Sequence, residues 1–253
     1  MRITRKFSRF YLSEFPPKYC YFNVVVYLDI WELRCYFLSS DPWSNLEEEI
    51  LNCTKCRLHA YRRRAVPGEG NKNSAVVFIG EAPGEKEDEQ GRPFVGPAGK
   101  LLTELIESTG YRREDFYITN IVKCRPPENR DPEEDEIEAC LPYLMRQLEL
   151  IKPKLIVCLG RHSARTIFRL AGLKWTSMTS QHGRVYSARL LGFSIKIIPT
   201  YHPAAALYNP QLRSALEEDF KKTIKSIVAE ITEARPAKKT LLDYSTGRAR
   251  SST

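Results

Sequence analysis

Four short, largely apolar runs rich in β-branched residues recur along the chain: AVVFIG at 75–80, FYITNIVKC at 116–124, KLIVCLG at 154–160 and FSIKIIPT at 193–200. Stretches that read as helix lie between or after them, at 97–109, 132–151, 161–171 and 211–230. A strand that is apolar at nearly every position needs both faces covered, and parallel neighbours need a long crossover between them. The alternation therefore predicts an α/β fold, a parallel sheet packed between helical layers. Ligands of such sheets sit beyond the carboxyl ends of the strands. The loops after Ile79, Ile121 and Ile198 thus mark the candidate site, and each is unusual: GEAPG, KCRPPENRDP and TYHPAAAL.

The first of these loops opens a longer stretch, GEAPGEKEDEQGRPFVGPAGKLL, from Gly80 to Leu102. It holds five glycines, three prolines, five acidic residues and one phenylalanine. A glycine-rich turn between strand and helix often cradles a phosphate. This one is negative where an anion would lie, so its ligand needs another explanation.

The chain carries 39 Lys and Arg against 31 Asp and Glu, a net charge of +8, which suggests an anionic partner. The excess sits mostly at the two ends, because residues 45–233 hold 28 basic against 26 acidic residues. A nucleic-acid surface must then come from local clusters such as Arg62, Arg63 and Arg64, although such a triplet more often marks a solvated face. Three segments follow. Residues 1–44 are aromatic-rich without clear periodicity, an N-terminal extension of unknown role. Residues 45–233 form the α/β domain, and residues 234–253 are a basic, flexible tail. No apolar run is long enough to span a bilayer and no signal-peptide pattern opens the chain, so a cytoplasmic protein is expected.

Cys53 and Cys56 form a C-x2-C pair, and Cys124 and Cys140 follow farther along. Four thiolates suit an iron–sulfur cluster or zinc, and ligand softness does not separate the two. Cys158 lies inside an apolar strand and reads as a core residue.

Together these features resemble the family 4 uracil-DNA glycosylases, the iron–sulfur class typical of archaea and thermophilic bacteria. The resemblance covers about residues 45–230. It rests on six motifs in order: NCTKC (52–56), VPGEG (66–70), the Gly80–Leu102 stretch, TNIVKCRPPENRDP (119–132), EACLPYL (138–144) and TYHPAAAL (200–207). It implies a three-layer α/β/α sandwich with a central four-stranded parallel sheet. It also implies a monomeric, monofunctional hydrolase that flips uracil out of single- or double-stranded DNA and breaks its N-glycosidic bond, starting base excision repair. Cys53, Cys56, Cys124 and Cys140 look like the ligands of a structural 4Fe–4S cluster. The competing reading is a non-catalytic iron–sulfur or zinc protein that binds nucleic acid on the same fold.

The resemblance also gives the loops their roles. A flipped base must be approached closely by backbone, which glycines allow, and it carries no free phosphate at that point. Phe94 looks like the ring that stacks on uracil, and Asn120 like the amide that reads its N3–H and O4. His202 resembles the donor to uracil O2, stabilising the leaving anion. Ala82, in the uracil-binding loop, stands where family 1 enzymes carry a water-positioning aspartate. Glu81 beside it becomes the candidate to orient the loop or the water. Glu87 is a further catalytic candidate, lining the pocket edge near Gly84, which replaces the thymine-excluding tyrosine of family 1. In the tail, KKTLLDYS (Lys238–Ser245) resembles a sliding-clamp-binding motif, with Lys238 in the usual glutamine's place and only one aromatic.

Overall fold

A computed structural model of the chain describes residues 41–233. Residues 1–40 and 234–253 lie outside the described residues, and with them the clamp-like Lys238–Ser245, Cys20 and Cys35.

Six strands form one sheet: β1 (Glu69–Gly70), β2 (Val76–Gly80), β3 (Tyr117–Asn120), β4 (Leu155–Leu159), β5 (Tyr186–Leu190) and β6 (Phe193–Thr200), in the order β1-β3-β2-β4-β6-β5. The central four, β3-β2-β4-β6, are mutually parallel. Both edges are antiparallel additions, β1 on β3 and β5 on β6. The expected four-stranded parallel sheet is thus the middle of a mixed six-stranded one.

Burial explains the central strands. Every residue of β2, β3 and β4 is buried, and successive residues enter different cores. Val77, Ile79, Tyr117, Ile156 and Cys158 face one apolar cluster, while Val76, Phe78, Ile118, Leu155 and Val157 face the other. Period-two alternation with both faces covered is what makes a three-layer sandwich.

On the first face lie α1 (Pro42–Leu51), α4 (Glu134–Ile151) and α5 (Arg161–Leu170). The second face is covered by α3 (Pro97–Ser108) and by a continuous helical run, α8 (Pro210–Glu218), a π-type turn (Asp219–Ile224) and α9 (Lys225–Glu233). The short helices α2 (Glu85–Gln90), α6 (Met178–Gln181) and α7 (Pro203–Ala206) punctuate the loops.

Helix α1 begins with Pro42 behind an Asp41 cap and buries Trp43, Leu46 and Ile50. Pro at the first position loses no hydrogen bond there. Trp43 packs on the Tyr117 ring at a centroid distance of 5.4 Å. The segment boundary expected after residue 44 therefore falls inside this helix.

The second apolar run ends as strand at Asn120, earlier than the expected 124. Ile121 and Val122 instead donate to the carbonyls of Gly80 and Glu81. This turn places Asn120 at the rim, beside Gly80, its register partner on β2.

Candidate active site

A cavity of about 360 Å³ opens at the carboxyl ends of β2, β3 and β6, within the roughly 300–1,000 Å³ usual for ligand pockets. Glu81, Ala82, Glu87, Phe94, Asn120 and His202 all line it. Three loops far apart in sequence meet there because their parallel strands end at one rim of the sheet, β3 beside β2 and β6 one strand away beyond β4.

Asn120 is 1 % exposed, and its Oδ1 has no hydrogen-bond partner among the described residues. An unpaired buried acceptor costs roughly 1–3 kcal/mol, so its persistence points to a partner that arrives from outside. Gly80 makes room for it: a Cβ at that position would lie 2.3 Å from Asn120 Oδ1 and 2.5 Å from Phe94 Cζ. The glycine that ends the first strand is thus a condition for both side chains.

Phe94 is buried and holds a left-handed backbone, φ +51°. For a bulky residue this is strained, at a cost of order 1–3 kcal/mol. Glu87 secures the turn that follows, its Oε1 accepting from the backbone N–H groups of Val95 and Gly96, both at 2.8 Å. Gly99, in the first turn of α3, packs so closely that a Cβ there would strike the Phe94 carbonyl.

The next acidic residue, Asp88, is 2 % exposed and accepts from Arg63 N–H at 2.9 and 3.0 Å. Two of the five acidic residues in this stretch therefore tie backbone donors together. That explains a negative charge that no phosphate cradle would tolerate. Sequence reading did not find the Asp88 contact, since its partner lies 25 residues away.

His202 caps α7, with Nδ1 accepting from Ala204 N–H at 3.1 Å. Its remaining proton is therefore on Nε2, which makes that atom a donor. Although part of the ring edge opens on the cavity, surrounding protein desolvates the imidazole and pushes its pKa down to about 4, with Glu87 opposing weakly. At neutral pH it is an uncharged N–H donor. The ring lies 5.7 Å from that of Phe94, tilted by 30°. Gly160, at φ +91°, lets the β4–α5 turn close on it, since a Cβ there would meet His202 Cβ at 3.0 Å.

Glu81 is half-buried at the cavity wall. Burial raises its pKa above the ordinary carboxylate range, opposed by His162 and reinforced by Asp131. His162, which shows no distinguishing context in sequence, stands beside it: Glu81, Asp131 and His162 bring ligand-type atoms within 4.8 Å of one another. Pro126, Asn129 and Arg130 of the KCRPPENRDP loop complete the cavity, and Arg130 is clamped by Glu136 at 2.6 and 2.9 Å. Only the loop's place after β3 points to these residues in the sequence.

The four cysteines converge away from this cavity. Cys53, Cys56, Cys124 and Cys140 line one narrow cleft between the end of α1, the loop after β3 and α4. N–H donors address three sulfurs: Lys55 to Cys53 at 3.5 Å, Arg62 to Cys124 at 3.0 Å and Lys123 to Cys140 at 3.2 Å. Burial pushes the thiols of Cys56 and Cys124 up, and that of Cys140 to about 12. Cys158 is wholly buried in β4, apart from this group.

Residues 67–227 match the family described as the uracil DNA glycosylase superfamily. The type-4 uracil-DNA glycosylase of Saccharolobus solfataricus is 57 % identical over 178 residues, which cover 70 % of this chain and 82 % of that protein. The type-4 uracil-DNA glycosylase of Archaeoglobus fulgidus is 54 % identical, over 70 % of this chain and 89 % of its own. A type-5 uracil-DNA glycosylase of Pyrobaculum aerophilum is more distant, at 28 % identity over 64 % of this chain and 82 % of its own.

Proposed function

The chain belongs to the uracil-DNA glycosylase superfamily, alongside its type-4 members, and from that premise we propose how its cavity excises uracil from DNA. The chain is a uracil-DNA glycosylase, a hydrolase of DNA repair. The observation that carries the site assignment is the unpartnered Oδ1 of buried Asn120, in one cavity with Phe94 and a neutral His202.

The flipped base enters the cavity and stacks on Phe94, a contact worth roughly 1–3 kcal/mol. Asn120 Oδ1 accepts from uracil N3–H while its amide N–H donates to O4. Cytosine presents a lone pair and an amino group at those positions, so both contacts become repulsive. Sites that read a base this way discriminate by roughly 10⁴-fold or more. As the C1′–N1 bond breaks, its electron pair remains on the uracil ring, and His202 Nε2–H donates to O2 where negative charge collects. A neutral imidazole makes this donor without adding a charge that would hold the product anion. Ala82 presents the loop backbone at the cavity wall, and Glu87 holds the Phe94 turn rather than reacting. Glu81 orients the water that adds to C1′.

Cys53, Cys56, Cys124 and Cys140 fit a 4Fe–4S cluster. They supply four thiolates to one cleft, and the N–H donors around them are the surroundings a cluster sulfur favours. Bound there, the cluster supplies a cross-link between the end of α1, the loop after β3 and α4. Iron without zinc by elemental analysis of the purified protein supports this, and stoichiometric zinc without iron overturns it. The enzyme acts as a monomer on cytoplasmic DNA, and no described helix is long and apolar enough to cross a membrane.

The test of the function is the release of free uracil from a uracil-containing oligonucleotide, leaving an unbroken abasic strand. An iron-loaded protein that binds the oligonucleotide but releases nothing would leave a binding module in place of the enzyme.

A further inference from the structure

Glu81 does not stand alone at the cavity wall. Asp131, from the loop before α4, and His162, in the first turn of α5, lie on its outer side, with ligand-type atoms of all three within 4.8 Å. Asp131 Oδ2 is 2.5 Å from Arg161 Nη2 and 3.1 Å from His162 Nε2. Arg161 Nε also lies 3.0 Å from the same His162 Nε2. The three elements form a path from the cavity to solvent: Glu81 is half-buried, His162 is 19 % exposed and Asp131 54 % exposed. A guanidinium already seated on Asp131 makes this a poor place for a cation.

We propose that Asp131 and His162 are positioning residues that act on excision through Glu81, making it the group that takes a proton from the attacking water. This rests on the glycosylase reading above. In the step, the water oxygen bonds to C1′ as C1′–N1 breaks, the electron pair stays on uracil, and one water proton passes to Glu81. Two carboxylates this close resist double ionisation, and a proton received between them is shared. The Arg161 guanidinium, and His162 when protonated, counter that repulsion. Exposed Asp131 then passes the proton to solvent. Burial and the Asp131 charge both raise the proton affinity of Glu81, while His162 and Arg161 lower it. Glu87, Arg130 and His202 line the same cavity and stay in place in the variants below.

The two partners therefore pull in opposite directions, which a merely structural role would not produce. Single-turnover excision by the iron-loaded full chain is measured from pH 4.5 to 9 for the wild type, Asp131→Asn and His162→Ala. Asp131→Asn is expected to move the acid limb of the profile down by about one pH unit, a tenfold gain at a fixed pH on that limb. His162→Ala is expected to move it up, and Glu81→Gln to remove it. Limbs that stay fixed, or that move the same way in both variants, overturn the relay while uracil release by the wild type leaves the function standing. A wild type that releases no uracil at any pH removes the function and the relay together.

Discussion

At the scale of single residues, the cavity depends on the absence of one carbon atom as much as on any functional group. A Cβ at position 80 would collide with both Asn120 Oδ1 and the Phe94 ring. Gly80→Ala should therefore lower kcat/KM for uracil excision by about 10²-fold or more, with iron content unchanged; an unaffected rate would show that neither side chain needs its present place. His202→Ala removes the proposed donor to the leaving anion and should slow the single-turnover rate by roughly 10²–10³-fold, with product-DNA affinity nearly constant.

The same histidine leaves a mark on stability. Its folded pKa, about 4, lies below the ordinary value of 6.5, so the unfolded chain takes up the proton first as pH falls. Its contribution is complete above pH 6.5 and is lost between 6.5 and 4. The Tm advantage of the wild type over His202→Asn should shrink between pH 7 and pH 5, and an advantage that grows would reverse the sign.

At the scale of elements, what the sequence discloses depends on whether a segment's reason for folding lies within it. β2, β3 and β4 are read at once because they lie in short, largely apolar runs and every residue is buried between two covered faces. β1 is two residues long, and β5 alternates half-buried with exposed positions under a polar sequence, so neither announces itself. Helix α2 is hidden for another reason. Its EKEDEQ has no apolar stripe, and its buried residue is Asp88, tied to the Arg63 backbone. Asp88→Ala should cost about 1–3 kcal/mol, lowering Tm by several degrees. A Tm unchanged within a degree would mean water replaces those bonds. Cys140 lies in α4 and faces the cysteine cleft, so Cys140→Ala should lose iron and stability together while any remaining activity keeps its preference for uracil. Changed base preference would place the cleft in the chemistry.

At the scale of the whole molecule, the order of strands brings GEAPG, the loop after Asn120 and TYHP to one rim, and alternation of strand and helix was enough to foresee that meeting place. Phe94, Asn120 and His202 were legible as candidates because their motifs are distinctive. The strain at Phe94 and the tautomer of His202 were not, because each is set by a turn geometry that residue types do not show, and the company kept by Glu81 was not, because its partners lie 50 and 81 residues away. The chain's basic end also belongs to this scale: if Lys238–Ser245 engages a sliding clamp, truncation after Glu233 should abolish affinity for the clamp and leave excision intact, and undiminished affinity would dismiss it. The most direct test of the account is single-turnover excision on matched oligonucleotides bearing uracil, thymine or cytosine, by the wild type and by Asn120→Ala. The account expects an abasic product from uracil alone, at least 10⁴-fold faster than from cytosine, and a severe loss in the variant. Equal cutting of cytosine or thymine, or an undisturbed Asn120→Ala, would contradict it.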